Sequence, residues 1–453
     1  MNTALVLYLV VLALIAVRSA RRVRDIPDFF VARKGASAKA VAGSLVATIL
    51  GGSAVIGAVD SGARLGGAAS WFMLTGALGL LALIPFAERA YSHGKYALPD
   101  LVESLYGNGP RLVASVVIPV AWTGIVAAQI IAAAKLLMTF TDLSYTAAAI
   151  ISAAVFTLYT LAGGQLSILR TDFMQACLII LGLLLVAGFA MFGGNAPTRP
   201  LSEILQSAPP FPFNANFSPL DLFLLILTYG TTYTAGPDIF SRMFCAKDTA
   251  TAKKAIGMAA ITLIPVAFII GFLAVYGVTL ENVQGAHITA IADKVLPGFL
   301  IPVIALALLS VVLSSADTTL LSSSVIISRL MGLGRTESAS EKHPLAKARI
   351  VILLNGIVAL LLALVFTDII GTLLLALAVY AGAFTVPILW GLLGLKAKPK
   401  FVAAAIVAGG ILALAGKLCP ALPGTLGAHT GDILMIAAFI ANTACLFMGR
   451  IKQ

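Results

Sequence analysis

Charge is what this chain has least of. Only 11% of its 453 residues are Asp, Glu, Lys or Arg, while 60% are hydrophobic. With a mean hydropathy of +1.02, a soluble domain of this length could not hide its apolar surface from water. Histidine and cysteine are equally sparse, four of each. Cys177, Cys245, Cys419 and Cys445 show no metal-ligand spacing and read as small core residues, not a disulfide framework. His93, His287, His343 and His429 fall in loops, which argues against a histidine metal site. No glycine loop ends in Lys-Ser or Lys-Thr, so ATP-driven chemistry has no phosphate cradle. Basic residues outnumber acidic ones 30 to 19, for a formal net charge of +11. No basic helix or aromatic-basic module collects that charge, and no nucleic-acid partner is expected.

Apolar runs fill the space that charge leaves. Most hold about 20 residues, enough to cross a bilayer core of about 30 Å. Thirteen spans are expected, at 2–17, 40–63, 69–90, 111–140, 144–163, 170–193, 219–243, 253–279, 297–330, 347–366, 369–394, 400–417 and 430–449. The fold class is all-α, a polytopic membrane protein with no separate soluble domain. The first run precedes Arg18, Arg21, Arg22 and Arg24, whereas a signal peptide carries its charge ahead of the apolar stretch. An uncleaved first helix, N-terminus outside, is therefore expected. Lys and Arg recur in alternate loops, at 18–39, 89–95, 170, 242–254, 329–349 and 396–400, and again at Arg450 and Lys452. By the positive-inside rule those loops and the C-terminus are cytoplasmic. The longest outside loop, 194–218, is rich in Pro, Ser and Asn and has room for a short helix at 201–206.

The span at 301–330 is not uniformly apolar. It contains Val311-Val312-Leu313-Ser314-Ser315-Ala316-Asp317-Thr318-Thr319-Leu320, a carboxylate and four hydroxyls at membrane depth. Such groups are costly there and are satisfied by a partner, water or an ion. Ser314, Asp317 and Thr318 stand at i, i+3 and i+4, on one helical face. That is a hard-oxygen surface of the kind a small cation takes, and it points to an ion-coupled transporter. The competing reading has the hydroxyls bonding back to i−4 carbonyls and Asp317 paired with a loop cation.

Two spans are also interrupted. Ile49-Leu50-Gly51-Gly52-Ser53 breaks the second, and Tyr229-Gly230-Thr231-Thr232-Tyr233 followed by Ala235-Gly236-Pro237 breaks the seventh. Helix breaks at membrane depth are tolerated around a cavity or buried site. Paired breaks in two halves point to an inverted-repeat transporter with a midplane site. The plainer alternative is glycine for close helix packing.

These residues resemble the sodium:solute symporter family. The stretches that carry the likeness are Asp28-Phe29-Phe30 with Arg33-Lys34-Gly35, then Leu98-Pro99-Asp100-Leu101, and Thr171-Asp172-Phe173-Met174-Gln175. They continue with Gly236-Pro237-Asp238, Arg242 and the Ser314–Thr318 run. The resemblance implies a LeuT-like five-plus-five inverted repeat with flanking helices. On that pattern the chain divides into a first helix and loop (1–39), a first repeat (40–193), an outside loop (194–218), a second repeat (219–395) and two C-terminal helices (396–453). It implies one sodium held by the carbonyls of Ala47, Leu50 and Val311 and the hydroxyls of Ser314 and Ser315. A second sodium, found in some members, would fall on Asp172, Ser314, Asp317 and Thr318. Asp317 departs from those members, which carry serine there. Family members that carry proline have an aspartate just past the first break, where this chain has Gly52-Ser53-Ala54, so proline is not favoured.

Where the broken helices face the fourth span, Gly52, Ser53, Trp122, Thr123, Gln129, Tyr229, Thr232 and Tyr233 are the candidate solute ligands. A half-helix N-terminus beside a break has free N–H groups for a solute carboxylate. Asp238 and Arg242, at i and i+4, are expected to pair as a lock or inner gate, and Asp60 with Arg64 likewise at the outer end of the second span. Asp172 has a rival reading as an interfacial partner of Arg170. Lys135 is expected to snorkel to the interface. The whole reads as a monomeric, sodium-coupled symporter of the cytoplasmic membrane importing a small polar or anionic organic solute. It is not an enzyme, and no cofactor is expected beyond sodium as coupling ion. The alternatives are proton coupling through Asp172 and Asp317, and a membrane sensor, for whose signalling domain the sequence after Arg450 leaves no room.

Overall fold

The computed structural model describes residues 2–193, 206, 209–278, 280, 287–334, 343–366, 369–418 and 430–451. The helix expected at 201–206 lies outside these apart from residue 206, as do Cys419, His429 and the side chain of Ser53. The described residues are almost wholly helical.

In chain order the long elements are α1 (Asn2–Ala20), α2 (Ala38–Ile49), α3 (Trp71–Leu83), α4 (Asn108–Phe140) and α5 (Tyr145–Phe192). After them come α6 (Thr231–Ala235), α7 (Pro237–Met243), α8 (Thr249–Gly277), α9 (Ile301–Leu330), α10 (Pro344–Val365), α11 (Ile369–Leu392), α12 (Pro399–Leu418) and α13 (Thr430–Met448). Side-chain caps set several starts. Ser37 accepts from the Ala40 amide at 3.3 Å before α2, and Asp248 from the Thr251 amide at 2.7 Å before α8.

Ten helices are long and apolar enough to cross a membrane, and a pair bent by 57°, Ala38–Ile49 with Ala54–Asp60, makes an eleventh. The expected thirteen is reached only by dividing α5 and by counting the broken run 219–243. α5 has 48 residues. At 1.5 Å per residue that is about 72 Å, more than twice the bilayer core. The chain turns inside it at Gly164, where φ is +52° and ψ −145°. A Cβ there would stand 2.6 Å from the Phe29 carbonyl oxygen. Gly164→Ala should therefore destabilise the fold by about 1–3 kcal/mol from backbone strain alone, with the clash added. Thermal unfolding in detergent reads this directly.

α9 is the centre of the bundle. It packs on α4, α5, α2 and α10, and its polar run is buried throughout. The exposed apolar side chains, such as Val120, Ile261, Leu354 and Ile411, lie on the outer helix faces, where lipid covers them. The Lys- and Arg-bearing loops meet at one end of the molecule. There Ala36 pairs with Ala246, Tyr91 donates to the Ala246 carbonyl, Arg349 donates to the Leu161 carbonyl, and Arg329 binds Asp100. At the opposite end Asn214 and Asn216 donate to the Leu65 and Arg64 carbonyls, and Trp71 to that of Pro212. Asp60 belongs to this second end. Its partner is His287, through the backbone amide at 2.8 Å and Nδ1 at 3.1 Å, not the expected Arg64.

Candidate functional site

α2 ends at Leu50, whose backbone (φ −75°, ψ 51°) leaves the helical region, and the chain resumes as a π-helical turn at Ser53–Gly57. The second break falls at Gly236 (φ −74°, ψ 142°), preceded by another π-helical turn at Ile226–Gly230. π turns recur at functional sites because they shift a helix face by a fraction of a turn. Nothing in the composition of these stretches announces them. α7, after the second break, packs on both α2 and α9.

The Ser314 hydroxyl lies at the first break. It donates to the Ala47 carbonyl at 3.0 Å and to Ser310 O at 2.7 Å, and stands 3.4 Å from Val311 O. Ser315 Oγ donates to Thr48 O at 3.0 Å. Two of the other four expected sodium ligands thus lie at the Ser314 hydroxyl, Ala47 across the α2–α9 contact and Val311 one turn back on α9 itself. Ser315 lies one residue along the same contact, and Leu50 is at the break itself. Every donor is a hard oxygen, which fits sodium. The Ser310 bond is also the i−4 back-bond of the competing reading, but the Ala47 bond crosses between helices.

The second expected set is divided. Asp172 accepts from the Ser44 hydroxyl, and the fully buried Arg242 guanidinium stands 4.0 Å from Asp172 Oδ2. Arg242 also donates to Thr318 Oγ1, to Ser241 Oγ at 2.7 Å, to Ser44 Oγ at 3.3 Å and to Ser322 Oγ at 3.5 Å. Thr318 lies 3.3 Å from Thr48 Oγ1 and 3.4 Å from Asp317 Oδ1. So Asp172, Asp317 and Thr318 do gather, around an internal arginine, while no described contact joins Ser314 to them. Asp172 Oδ1 and Asp317 Oδ2 are buried without a hydrogen-bond partner. Two expectations are corrected here. Arg242 is held by these five residues and not by Asp238. Arg170, the rival partner for Asp172, donates to Ser19 Oγ at 3.2 Å.

Beside the breaks is a central cavity of about 50 Å³. That is room for a few waters, so a solute fits only when the helices move apart. Trp122, Gln129, Tyr229, Thr232 and Tyr233 line it, as expected. Gly51 of the first break, Ser315 and Thr319 of the polar run and Asp238 of the expected gate line it as well, and so do Thr48 and Leu373, which the sequence did not single out. Gly52 is adjacent, with the Gln129 side-chain oxygen 3.4 Å from where a Cβ would be. Thr123 is elsewhere. It donates to the Pro119 carbonyl and to Asn355 Oδ1, both at 2.7 Å, on the face of α4 toward α10. Gln129 Oε1 and Trp122 Nε1 are buried without partners in the cavity wall. Lys135 is exposed, in keeping with a snorkelling role.

The chain is 26% identical over 366 residues to the high-affinity proline transporter PutP of Bacillus subtilis, covering 76% of each protein. It is 25% identical over 390 residues to the osmoregulated proline transporter OpuE of the same organism, covering 79% of this chain and 76% of the relative. Among solved structures it superposes on a Na+-coupled sialic acid symporter with a TM-score of 0.79 at 18% identity, over 100% of this chain and 99% of the other. A nucleobase-cation-symport-1 family transporter gives 0.63 at 12% identity, over 92% and 93%. The expected LeuT-like architecture is thereby borne out. The family model of the sodium:solute symporters matches residues 29–401, and the chain belongs to the sodium:solute symporter family.

Proposed function

We propose that the chain imports a small polar or anionic organic solute, of carboxylate, amino-acid or vitamin-like size, driven by inward sodium flow. The observation that carries this reading is the Ser314 hydroxyl bonding the Ala47 carbonyl across the α2–α9 contact, beside the Val311 carbonyl of its own helix. A sodium ion there would hold the broken helix against α9. It favours one conformation only if it binds that conformation better. The membrane potential adds about 2.3 kcal/mol per charge moved per 100 mV. The two repeats, 40–193 and 219–395, would rock about the central cavity, and its small volume accords with a solute enclosed between them. The end where the basic loops meet would face the cytoplasm, with the N-terminus outside and the C-terminus inside, and the chain would sit in the cytoplasmic membrane as a monomer. The two proline transporters among its relatives support a solute of amino-acid size.

Thermal unfolding of the detergent-solubilised protein in sodium and in potassium, at equal ionic strength, tests the coupling ion without a known solute. A ligand of the folded state raises stability by RT ln(1 + [L]/Kd). Sodium-specific stabilisation is expected; equal curves in the two salts would refute it. A proton-coupled second reading is favoured by the unpartnered oxygens of Asp172 and Asp317. It predicts that solute uptake follows an imposed pH gradient and that Asp317→Asn abolishes that dependence.

A further inference from the structure

The central cavity holds a carboxylate that no cation touches. Asp238 is 9% exposed and lines the cavity together with Trp122, Tyr229 and Tyr233. Among the described residues no Lys, Arg or His lies within ion-pair distance of it. Arg242, one turn further on, acts on Asp238 only through its charge, because its donors are committed to Asp172, Ser44, Ser241, Thr318 and Ser322. A buried carboxylate with no cation in direct contact is costly, and a bound cation relieves that cost.

Position and surroundings narrow the ligand. Asp238 is the second residue of α7 and accepts from the Ile239 amide at 3.2 Å. The half-helix N-terminus that would have held a solute carboxylate is thus already occupied by the chain's own. An anionic group brought there would meet like charge in a desolvated cavity. Aromatic rings carry a negative face that attracts cations, and three of them line this cavity. The buried, unpartnered Trp122 Nε1 and Gln129 Oε1 offer a donor and an acceptor to the rest of the solute.

We propose that the cavity selects solutes bearing a cationic nitrogen, an amine or a quaternary ammonium, and that Asp238 is the specificity-determining residue which binds it. This rests on the cavity being the solute site, and it removes plain carboxylates from the solute class while keeping amino acids. The Trp122 and Gln129 groups take the solute's second polar end.

The test uses three probes on one five-carbon skeleton, 3-methylbutylammonium, 3-methylbutanol and 3-methylbutanoate, and leucine, which adds a carboxylate to the first. Each is added to the purified full chain in sodium, and thermal unfolding is read. The ammonium and leucine are expected to raise the unfolding temperature, and the alcohol and the carboxylate to leave it unchanged. Asp238→Asn, of the same shape, should weaken the ammonium response by about 30-fold or more in half-saturating concentration. The wild-type comparison of charged and neutral probes stands even where that variant fails to fold. Equal shifts from ammonium and alcohol, or no shift from either cationic-nitrogen probe, would overturn the proposal. So would an Asp238→Asn protein that is less stable yet keeps its preference for ammonium, since the carboxylate would then serve only the helix terminus. Sodium alone, run in parallel, separates the two readings. A lost sodium response with ammonium selectivity intact defeats the coupling ion and leaves the ammonium site standing. A sodium response lost only in Asp238→Asn would reassign the carboxylate to the ion and defeat this proposal.

Discussion

Arg242→Gln is expected to destabilise the protein by about 3–5 kcal/mol, the cost of leaving a buried charge uncompensated. The guanidinium is completely buried, 4.0 Å from Asp172 Oδ2, and donates to four hydroxyls on three helical segments. Removing it strands Asp172 and Asp317 in the bundle centre, each with one oxygen already unpartnered. Adding Asp172→Asn should recover part of the loss, because the double variant has no unpaired charge at Asp172. Denaturation of both single variants and the double variant beside wild type measures both terms and their coupling. Sodium should stabilise Arg242→Gln more than it stabilises wild type, because a mobile cation can then enter among the carboxylates. A neutral effect of Arg242→Gln would mean that the cluster carries no net charge to balance.

The second large effect is at the end where the basic loops meet. Arg329, in the last turn of α9, binds Asp100 Oδ1 through Nη2 at 2.7 Å and Nε at 3.0 Å, with side-chain exposures of 7% and 8%. The same carboxylate accepts from the Tyr96 and Ala97 amides at 3.0 and 3.1 Å, which fixes the start of the helix Leu98–Tyr106. Asp100→Ala therefore removes an ion pair with two donors on one oxygen and two capping bonds together, and leaves Arg329 buried against the Tyr96 ring. A loss of about 3–5 kcal/mol is expected from the stranded charge. Asp100→Asn keeps some of the amide contacts and should cost less. Thermal unfolding of both variants distinguishes the pair from the cap.

The polar stretch of α9 and the two helix breaks were legible because each violates a rule with few exceptions. Hydroxyls and a carboxylate do not occur idly at membrane depth, nor do glycine pairs and Gly-Pro. What stayed hidden depends on contacts between distant segments. Arg242 and Asp238 satisfy the local i, i+4 rule, yet Arg242 reaches Asp172 on a helix 70 positions earlier. Asp60 and Arg64 satisfy it too, and His287 takes the carboxylate instead. Helical phase explains Thr123. Trp122 and Gln129 are seven residues apart and share a face, while Thr123 is turned about 100° from Trp122, toward α10. The turn at Gly164 rests on one residue's backbone angles, which hydropathy does not encode. Asp238 was assigned to a gate because its neighbour is an arginine; only the placement of that arginine reveals a carboxylate left for the cavity.

The central claim is a sodium ion between α2 and α9. Equilibrium binding of radioactive sodium to the purified chain, wild type beside Ser314→Ala, tests it most directly. Saturable binding displaced by unlabelled sodium and not by potassium is predicted, weakened about tenfold or more when the Ser314 hydroxyl is removed. No saturable binding in the wild type, or binding that Ser314→Ala leaves unchanged, would contradict it.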